Sequence, residues 1–446
     1  MLGRFESYIT DYEHVFRSKT KRFFNKAKTY CYGILLSDLR NIERISEEMF
    51  ANYHQMQHFI SDSPWDHRAL IDRIAQDVSR SLPQRKLTGL IIDESGWEKK
   101  GDKSVGVAPQ YCGNVGKVSN CQVAVFGALS NGDFASMVDA RLYLPEVWCD
   151  SVARCDEAYI PEAERAFKMK WEIALEIIRH QQSLGTTFDY VSADGYYGNS
   201  IDFAEAIDDM GYIYMLDIHS NLTIYLEESA IEIPPATGKR GRKPSKEKPV
   251  APCIRVDKYM SELTKDDWMH LEVRNTAKGK LTGDYHFRRV YIWDEENHRM
   301  LPRLLVIRRT LTKKGDYEYK YSFTNAHLEQ YTEKGIAYMQ AQRFFIEHCI
   351  KENKQILGMD EYQTRKWLSW QHQIALNLLL STFVLKEKLH CFDDLPLLSA
   401  RDIKRWIIFK LYRQMTEEDM IDQMFERHCR RQRDINVAFE KQILMC

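Results

Sequence analysis

The chain has 446 residues, 44% of them hydrophobic and 12% aromatic, with 63 Lys plus Arg against 64 Asp plus Glu. That length exceeds one compact domain, and the apolar share excludes a globally disordered protein. A formal net charge of −1 excludes capture of nucleic acid by the overall field, so such a partner would have to be met by local basic patches.

The pattern predicts helices over residues 1 to 82, forming with the short linker an N-terminal region 1–84. A helical piece over 42–59 stops at Ser61-Asp62-Ser63-Pro64. There Ser63 can cap a new helix over 65–82, with Pro64 in its first position. Strands begin at 87–93, a run of apolar residues closed by Asp93. Strands over 119–129 and 133–144 flank Asn131-Gly132, a strong hairpin signal. A helix over 161–184, a strand over 188–193 closed by Asp194, a helix over 200–210 and a strand over 212–217 complete a first core segment, 85–217. Residues 218–330 read as a mainly β insertion, with strands near 268–273, 285–293 and 304–309, interrupted by a basic, Pro- and Gly-rich stretch at 234–249. A helix over 335–358 returns the chain to the core (331–390). Helices over 360–389, 399–412 and from 417 onward follow, the last two in a C-terminal region 391–446. The fold class expected is α/β, with helices flanking a mixed sheet.

Ten scattered cysteines contain no CxxC pair, and the start Met1-Leu2-Gly3-Arg4 has no apolar secretory stretch. A reduced cytoplasmic setting is expected. The longest apolar run, 374–385, is too short to span a bilayer, so no membrane partner is expected.

Asp93 and Asp194 close two such strands, where α/β sheets gather ligands, and two carboxylates brought together there need cations between them. On the 335–358 helix, Arg343, Glu347, Lys351 and Lys354 fall in one stripe at 100° per residue. Glu347 can complete an oxygen shell for two Mg2+ or Mn2+ ions, while the cations hold phosphates. A metal pair of that kind cleaves and joins phosphodiesters. Taken singly, a strand-end aspartate is more often a turn residue and a charged stripe a solvated face. Glu94 is a rival ligand that strand alternation turns away from the side Asp93 uses.

Three further basic groups stand out. Thr237-Gly238-Lys239-Arg240-Gly241-Arg242-Lys243-Pro244 resembles an AT-hook, whose arginines enter the narrow minor groove; the alternative is a solvated linker. Lys19, Lys21, Arg22, Lys26 and Lys28 form a second group, and Arg427, Arg430, Arg431 and Arg433 a third.

The stretch Asp93-Glu94-Ser95-Gly96-Trp97-Glu98-Lys99-Lys100-Gly101, continuing through Ser104 to Gly113 and Gly116 to Gln122, resembles bacterial insertion-sequence transposases of the DDE superfamily, in particular the seven-hundred-and-one group. So do Gln57-His58-Phe59-Ile60-Ser61-Asp62-Ser63-Pro64-Trp65, Ala193-Asp194-Gly195-Tyr196-Tyr197-Gly198, and Arg343-Phe344-Phe345-Ile346-Glu347 with Lys354 and Leu357-Gly358-Met359-Asp360-Glu361-Tyr362. The resemblance covers about residues 50 to 385. It implies an RNase H-like core with a β insertion before the glutamate helix, and Asp93, Asp194 and Glu347 as metal ligands. It implies cleavage of transposon ends in double-stranded DNA and joining of the freed 3′-OH to target DNA, with a homodimer on DNA at the bacterial nucleoid. It also implies a base-gripping tryptophan in the insertion, for which Trp268 and Trp293 are candidates. The superfamily's Tyr-Arg-Glu-Lys signature is matched by Arg343, Glu347 and Lys354, but Gln340 stands in the tyrosine's place and the nearest tyrosine is Tyr338. Two other readings remain open: a non-catalytic DNA-binding regulator derived from a transposase, and a two-carboxylate hydrolase of small substrates. The second leaves the basic segments unexplained.

Overall fold

The computed structural model describes residues 1–83, 86–235, 245–276, 279–412 and 416–443, in the last stretch without some of the side chains. A twelve-stranded sheet runs through it. Its centre is Gly89–Glu98, parallel to Tyr190–Ala193, which is in turn parallel to Ile213–Asp217. On the other side Gly89–Glu98 pairs antiparallel with Lys117–Ser130, whose far edge takes Ala108–Cys112 and the hairpin partner Ala135–Leu142. This is the RNase H-like order, with the earliest core strand between its hairpin and two later parallel strands. Residues 89–93 are buried throughout, which explains the unbroken apolar run of a strand covered on both faces. The hairpin turns at Asn131, whose Oδ1 accepts from the N–H groups of Asp133 and Phe134, while Gly132 adopts φ +82°.

The insertion is β, as the sequence predicts, and it is continuous with the core. Met269–Thr276, Gly279–Asp294, Arg299–Leu311 and Tyr317–Thr324 form an antiparallel series, and the last pairs with Ile213–Asp217, Ser322 opposite Asp217. The N-terminal helices and the helix Trp367–His390 pack into one core with the strands, His67–Ser81 lying directly on Trp367–His390. Among the described residues no helix is long and apolar enough to cross a membrane.

Local expectations shift in several places. The strand holding Asp93 does not end there but runs on to Glu98, because its antiparallel partner continues after the parallel pairing stops at Ile91–Ser192. The 42–59 helix is two, Ile42–Glu48 and Tyr53–Ser61. Phe50 between them has φ +50°, and Asn52 caps the second by accepting from the Gln55 N–H. The next helix is His67–Ser81, capped by Asp66 and not Ser63; the Ser63 hydroxyl instead donates to the His58 carbonyl. The helix expected over 161–184 is Lys170–Ser183, with the Glu172 carboxylate accepting from the Met169 N–H at its start. The helix expected from 360 begins at Trp367, since the carbonyls of Asp360 and Tyr362 are taken by the Lys99 ammonium. The 335–358 helix breaks at Gln342–Arg343 into Glu333–Ala341 and Phe344–Leu357. There the Gln342 side-chain amide donates to the Tyr338 carbonyl, and its own N–H turns to Met339.

Candidate active site

Asp93 sits on the central strand just past the end of its parallel pairing, 9% exposed, with Oδ1 accepting the Glu94 N–H at 2.9 Å. Burial, then the nearby Asp194 charge, pushes its carboxyl up to about 8, with Arg343 opposing. Asp194 follows Tyr190–Ala193 and caps the short helix Gly195–Gly198, accepting from the Tyr196 N–H at 3.0 Å. Its carboxyl is also pushed up, by burial and then by Glu94. The turn that aims it needs glycine at 198: a Cβ there would overlap the carbonyl oxygen of Asp217.

Glu347 is exposed on the first turn of Phe344–Leu357. Together, Asp93, Asp194 and Glu347 line one cleft of about 720 Å³. The three elements that carry them are distant in sequence, and the cleft opens where the parallel strand Tyr190–Ala193 stops.

Arg343 stands among the acids. Its Nη2 lies 2.8 Å from Glu347, its Nη1 3.7 Å from Asp93, and its Nε 3.0 Å from Asp217, an ion pair not aligned as a hydrogen bond. Burial opposes the charge, but Asp217, then Glu347, Asp93 and Asp194 outweigh it and hold the guanidinium more firmly protonated than usual. Lys351 is exposed on the cleft wall. Lys354, expected with the stripe to hold a DNA phosphate, is instead 8% exposed and donates to Ser95 Oγ and the Gly96 carbonyl, both at 2.8 Å, with the Trp97 ring 5.4 Å away. Burial lowers its pKa. It ties the glutamate helix to the Asp93 strand.

Two acids in this neighbourhood were not among the residues selected from sequence. Asp217 ends its strand as Asp194 ends its own, so the same signal was present. Its Oδ1 accepts from Ser322 Oγ at 2.7 Å, and Ser322 Oγ accepts from Gln340 Nε2 at 2.9 Å. Glu94, expected to point away, lines the same cleft, held by Lys170 at 2.5 Å and the Tyr197 hydroxyl at 2.9 Å. With the neighbouring strand ended, both faces of the strand beyond Asp93 reach the opening.

The donor chemistry fits hard divalent cations: the three carboxylates offer oxygen ligands only, and burial, then the Asp194 charge, pushes the Asp93 carboxyl up. The acids do not form a closed cage. Among the described residues no group of three or more His, Cys, Asp or Glu stands at metal-holding spacing, and Glu347 is drawn onto Arg343 instead.

The other expected contacts lie elsewhere. Trp268 packs with Arg309 at 4.2 Å and Tyr319 at 6.3 Å, and Trp293 lines a separate cavity with Tyr214 and Arg303; neither borders the carboxylate cleft. Gln340, in the tyrosine's place, is buried on Ser322, and the Tyr338 hydroxyl donates to the Leu87 and Asn131 carbonyls. Lys19, Lys21 and Arg22 are exposed, while Lys26 and Lys28 are half-buried. Lys239, Arg240, Arg242 and Lys243 lie outside the described residues, as do the side chains of Arg427, Arg430 and Arg431.

A family described as DDE superfamily endonuclease matches residues 11–280. Over 175 residues the chain is 34% identical to a protein described as a probable transposase for insertion sequence element IS701, from Microchaete diplosiphon; the match spans 38% of this chain and 42% of that relative, less than half of its length. Among solved structures, the piggyBac transposase in a cryo-EM structure of a synaptic complex with hairpin DNA superposes with TM-score 0.37 and 11% identity, over 94% of this chain and 78% of that one.

Proposed function

This chain belongs to the DDE superfamily of endonucleases, and we propose that it is a transposase that cuts transposon ends in double-stranded DNA and joins the freed 3′-OH to target DNA. The observation that carries this reading is the shared cleft of Asp93, Asp194 and Glu347, with Lys351 on its wall and Arg343 paired to Glu347 beside it. These three carboxylates would hold two Mg2+ or Mn2+ ions. Bound there, such ions would supply an activated hydroxyl and charge stabilisation for the leaving 3′ oxygen.

The chain's own residues do the rest. Burial, then the Asp194 charge, raises the Asp93 carboxyl, and a cation held there would favour its ionised form. Arg343, pinned by Asp217, supplies positive charge beside the acids. Lys354 fixes the spacing between the glutamate helix and the Asp93 strand, and Lys351 is free to meet a backbone phosphate. Lys239, Arg240, Arg242 and Lys243 would add minor-groove contacts, and the region 1–84 would serve DNA binding or pairing of two copies at the nucleoid.

The test is cleavage of a supercoiled plasmid carrying the element's ends, with Mg2+ or Mn2+. Asp93→Ala, Asp194→Ala and Glu347→Ala should each lose at least about 10²–10³-fold in cleavage, the scale of removing one charge-stabilising group, and still bind DNA. Wild-type-like cutting by Asp93→Ala would sink the assignment. The capture of Glu347 by Arg343 favours a second reading, a regulator that binds DNA without cutting it. Wild-type protein that binds the ends but never nicks them would establish that reading.

A further inference from the structure

We propose that a second cleft, between the insertion sheet and the glutamate helix, is a binding subsite for a nucleic-acid backbone phosphate, built from Arg274, Arg308 and Lys320. The choice of nucleic acid rests on the reading above. The cleft measures about 640 Å³, and Arg343 and Glu347 lie on its border, so it opens beside the acidic site.

The argument begins with strand register. Arg308 on Arg299–Leu311 lies directly opposite Lys320 on Tyr317–Thr324. Like charges directly opposite on a sheet destabilise it unless an anion lies between them. Among the described residues Arg308, Lys320 and Arg274 make no ion pair, and the carboxylates that line the cleft are engaged by other cations, Asp133 by Lys86, Glu347 by Arg343 and Glu352 by Lys388. The other face of the same strand is treated differently. Arg299 pairs with Asp294 and Glu205, Arg303 with Glu205, and Arg309 with Asp284. The odd-numbered arginines are neutralised internally, whereas Arg308, facing the cleft beside Tyr285, has no acid partner among the described residues.

Arg274 extends the row. Its guanidinium lies 4.9 Å from the Phe345 ring and 5.9 Å from Phe344, and its Nε has no hydrogen-bond partner. Lys320 is held below the usual lysine range by burial; Asp217 opposes this, and Arg343 and Arg308 add to it. A phosphodiester between these cations relieves that repulsion and sets its strand running past Glu347 toward Asp93 and Asp194.

The experiment uses the full chain and a fluorescent random-sequence DNA duplex, in EDTA so that cutting does not enter, with affinity measured against NaCl. Arg308→Ala/Lys320→Ala should bind at least about fivefold more weakly at ~0.1 M salt and lose up to about two units of the log–log salt slope. Arg308→Lys/Lys320→Arg should bind like wild type, as should Arg299→Ala on the neutralised face. Arg274→Ala, also expected to weaken binding, supplies a second variant should the double one fail to fold. Inorganic phosphate is the competitor: displacement of the duplex only at ionic-strength-matched chloride levels supports a backbone site, and displacement at far lower phosphate overturns it in favour of a free-phosphate site. Unchanged duplex binding by folded Arg308→Ala/Lys320→Ala or by Arg274→Ala overturns this proposal and leaves the proposed function standing. Failure of the wild-type protein to bind duplex at all would overturn both.

Discussion

The Asp217 carboxylate lies 3.0 Å from Nε of Arg343, and through that contact the end of one core strand sets the position of a cation on the glutamate helix. Asp217 is itself held by Ser322, and Ser322 by Gln340, so a row of buried polar groups stands behind the arginine. We expect Asp217→Asn to let the guanidinium move onto Glu347 and Asp93. Cleavage should fall about 10- to 100-fold, the usual cost of losing a group that orients a ligand residue, while KM for the DNA substrate changes little. An unaltered kcat would show that the pair is only structural.

The raised carboxyl of Asp93 makes stability depend on pH. Native Asp93 keeps its proton up to about 8, whereas an unfolded aspartate gives it up near ~3.9. Between these values the native state binds more protons, so stability falls as pH rises. Without divalent ions, thermal melts should drop between pH 5 and 8. In Asp93→Asn that slope should flatten, leaving the variant roughly 1–3 kcal/mol more stable than wild type at pH 8 and equal to it at pH 4.

Metal addition gives the complementary outcome. Millimolar Mg2+ or Mn2+ at pH 8 should raise the wild-type melting temperature, because a cation held by the three carboxylates would bind the folded state alone. Asp93→Asn should show little of that rise. Equal shifts in the two proteins would place the ion elsewhere.

Lys354 and Lys351 are one helical turn apart and should behave oppositely. Lys354→Met removes the bonds to Ser95 Oγ and the Gly96 carbonyl, the latter keeping only the Asn114 side-chain amide, and should cost about 1–3 kcal/mol in urea unfolding. Lys351→Ala, on the exposed wall, should stay within about 0.5 kcal/mol of wild type yet bind DNA with a shallower salt dependence.

Gly198→Ala tests the approach of the Asp194 turn to its neighbour. A methyl there meets the Asp217 carbonyl, backbone that has no room to yield. The variant should lose at least about 1–3 kcal/mol of stability, with cleavage falling further as Asp194 is displaced.

Much of this architecture is written locally. The apolar run before Asp93 and the Asn131-Gly132 turn follow from nearest-neighbour chemistry and are found in the fold, while the helix read over 335–358 is found as two, Glu333–Ala341 and Phe344–Leu357. The assignment of Asp93, Asp194 and Glu347 to one neighbourhood followed from element order and from a family resemblance carried by long ordered blocks. What the letters do not contain is which cation meets which acid. Periodicity put Lys354 in a charged stripe facing the site, as a cation to hold phosphate, but its ammonium is buried on Ser95 and Gly96. Glu94 was set aside by alternation, a rule that loses force once the neighbouring strand ends. Asp217 carried the same strand-end signal as Asp194, and its meaning rests on Ser322, 105 residues away. Local sequence determines strands, turns and helices because their hydrogen bonds and periodicities close within a few residues. The partners of a charge are fixed only when distant strands come into register, since Coulombic attraction depends on distance in space and not along the chain.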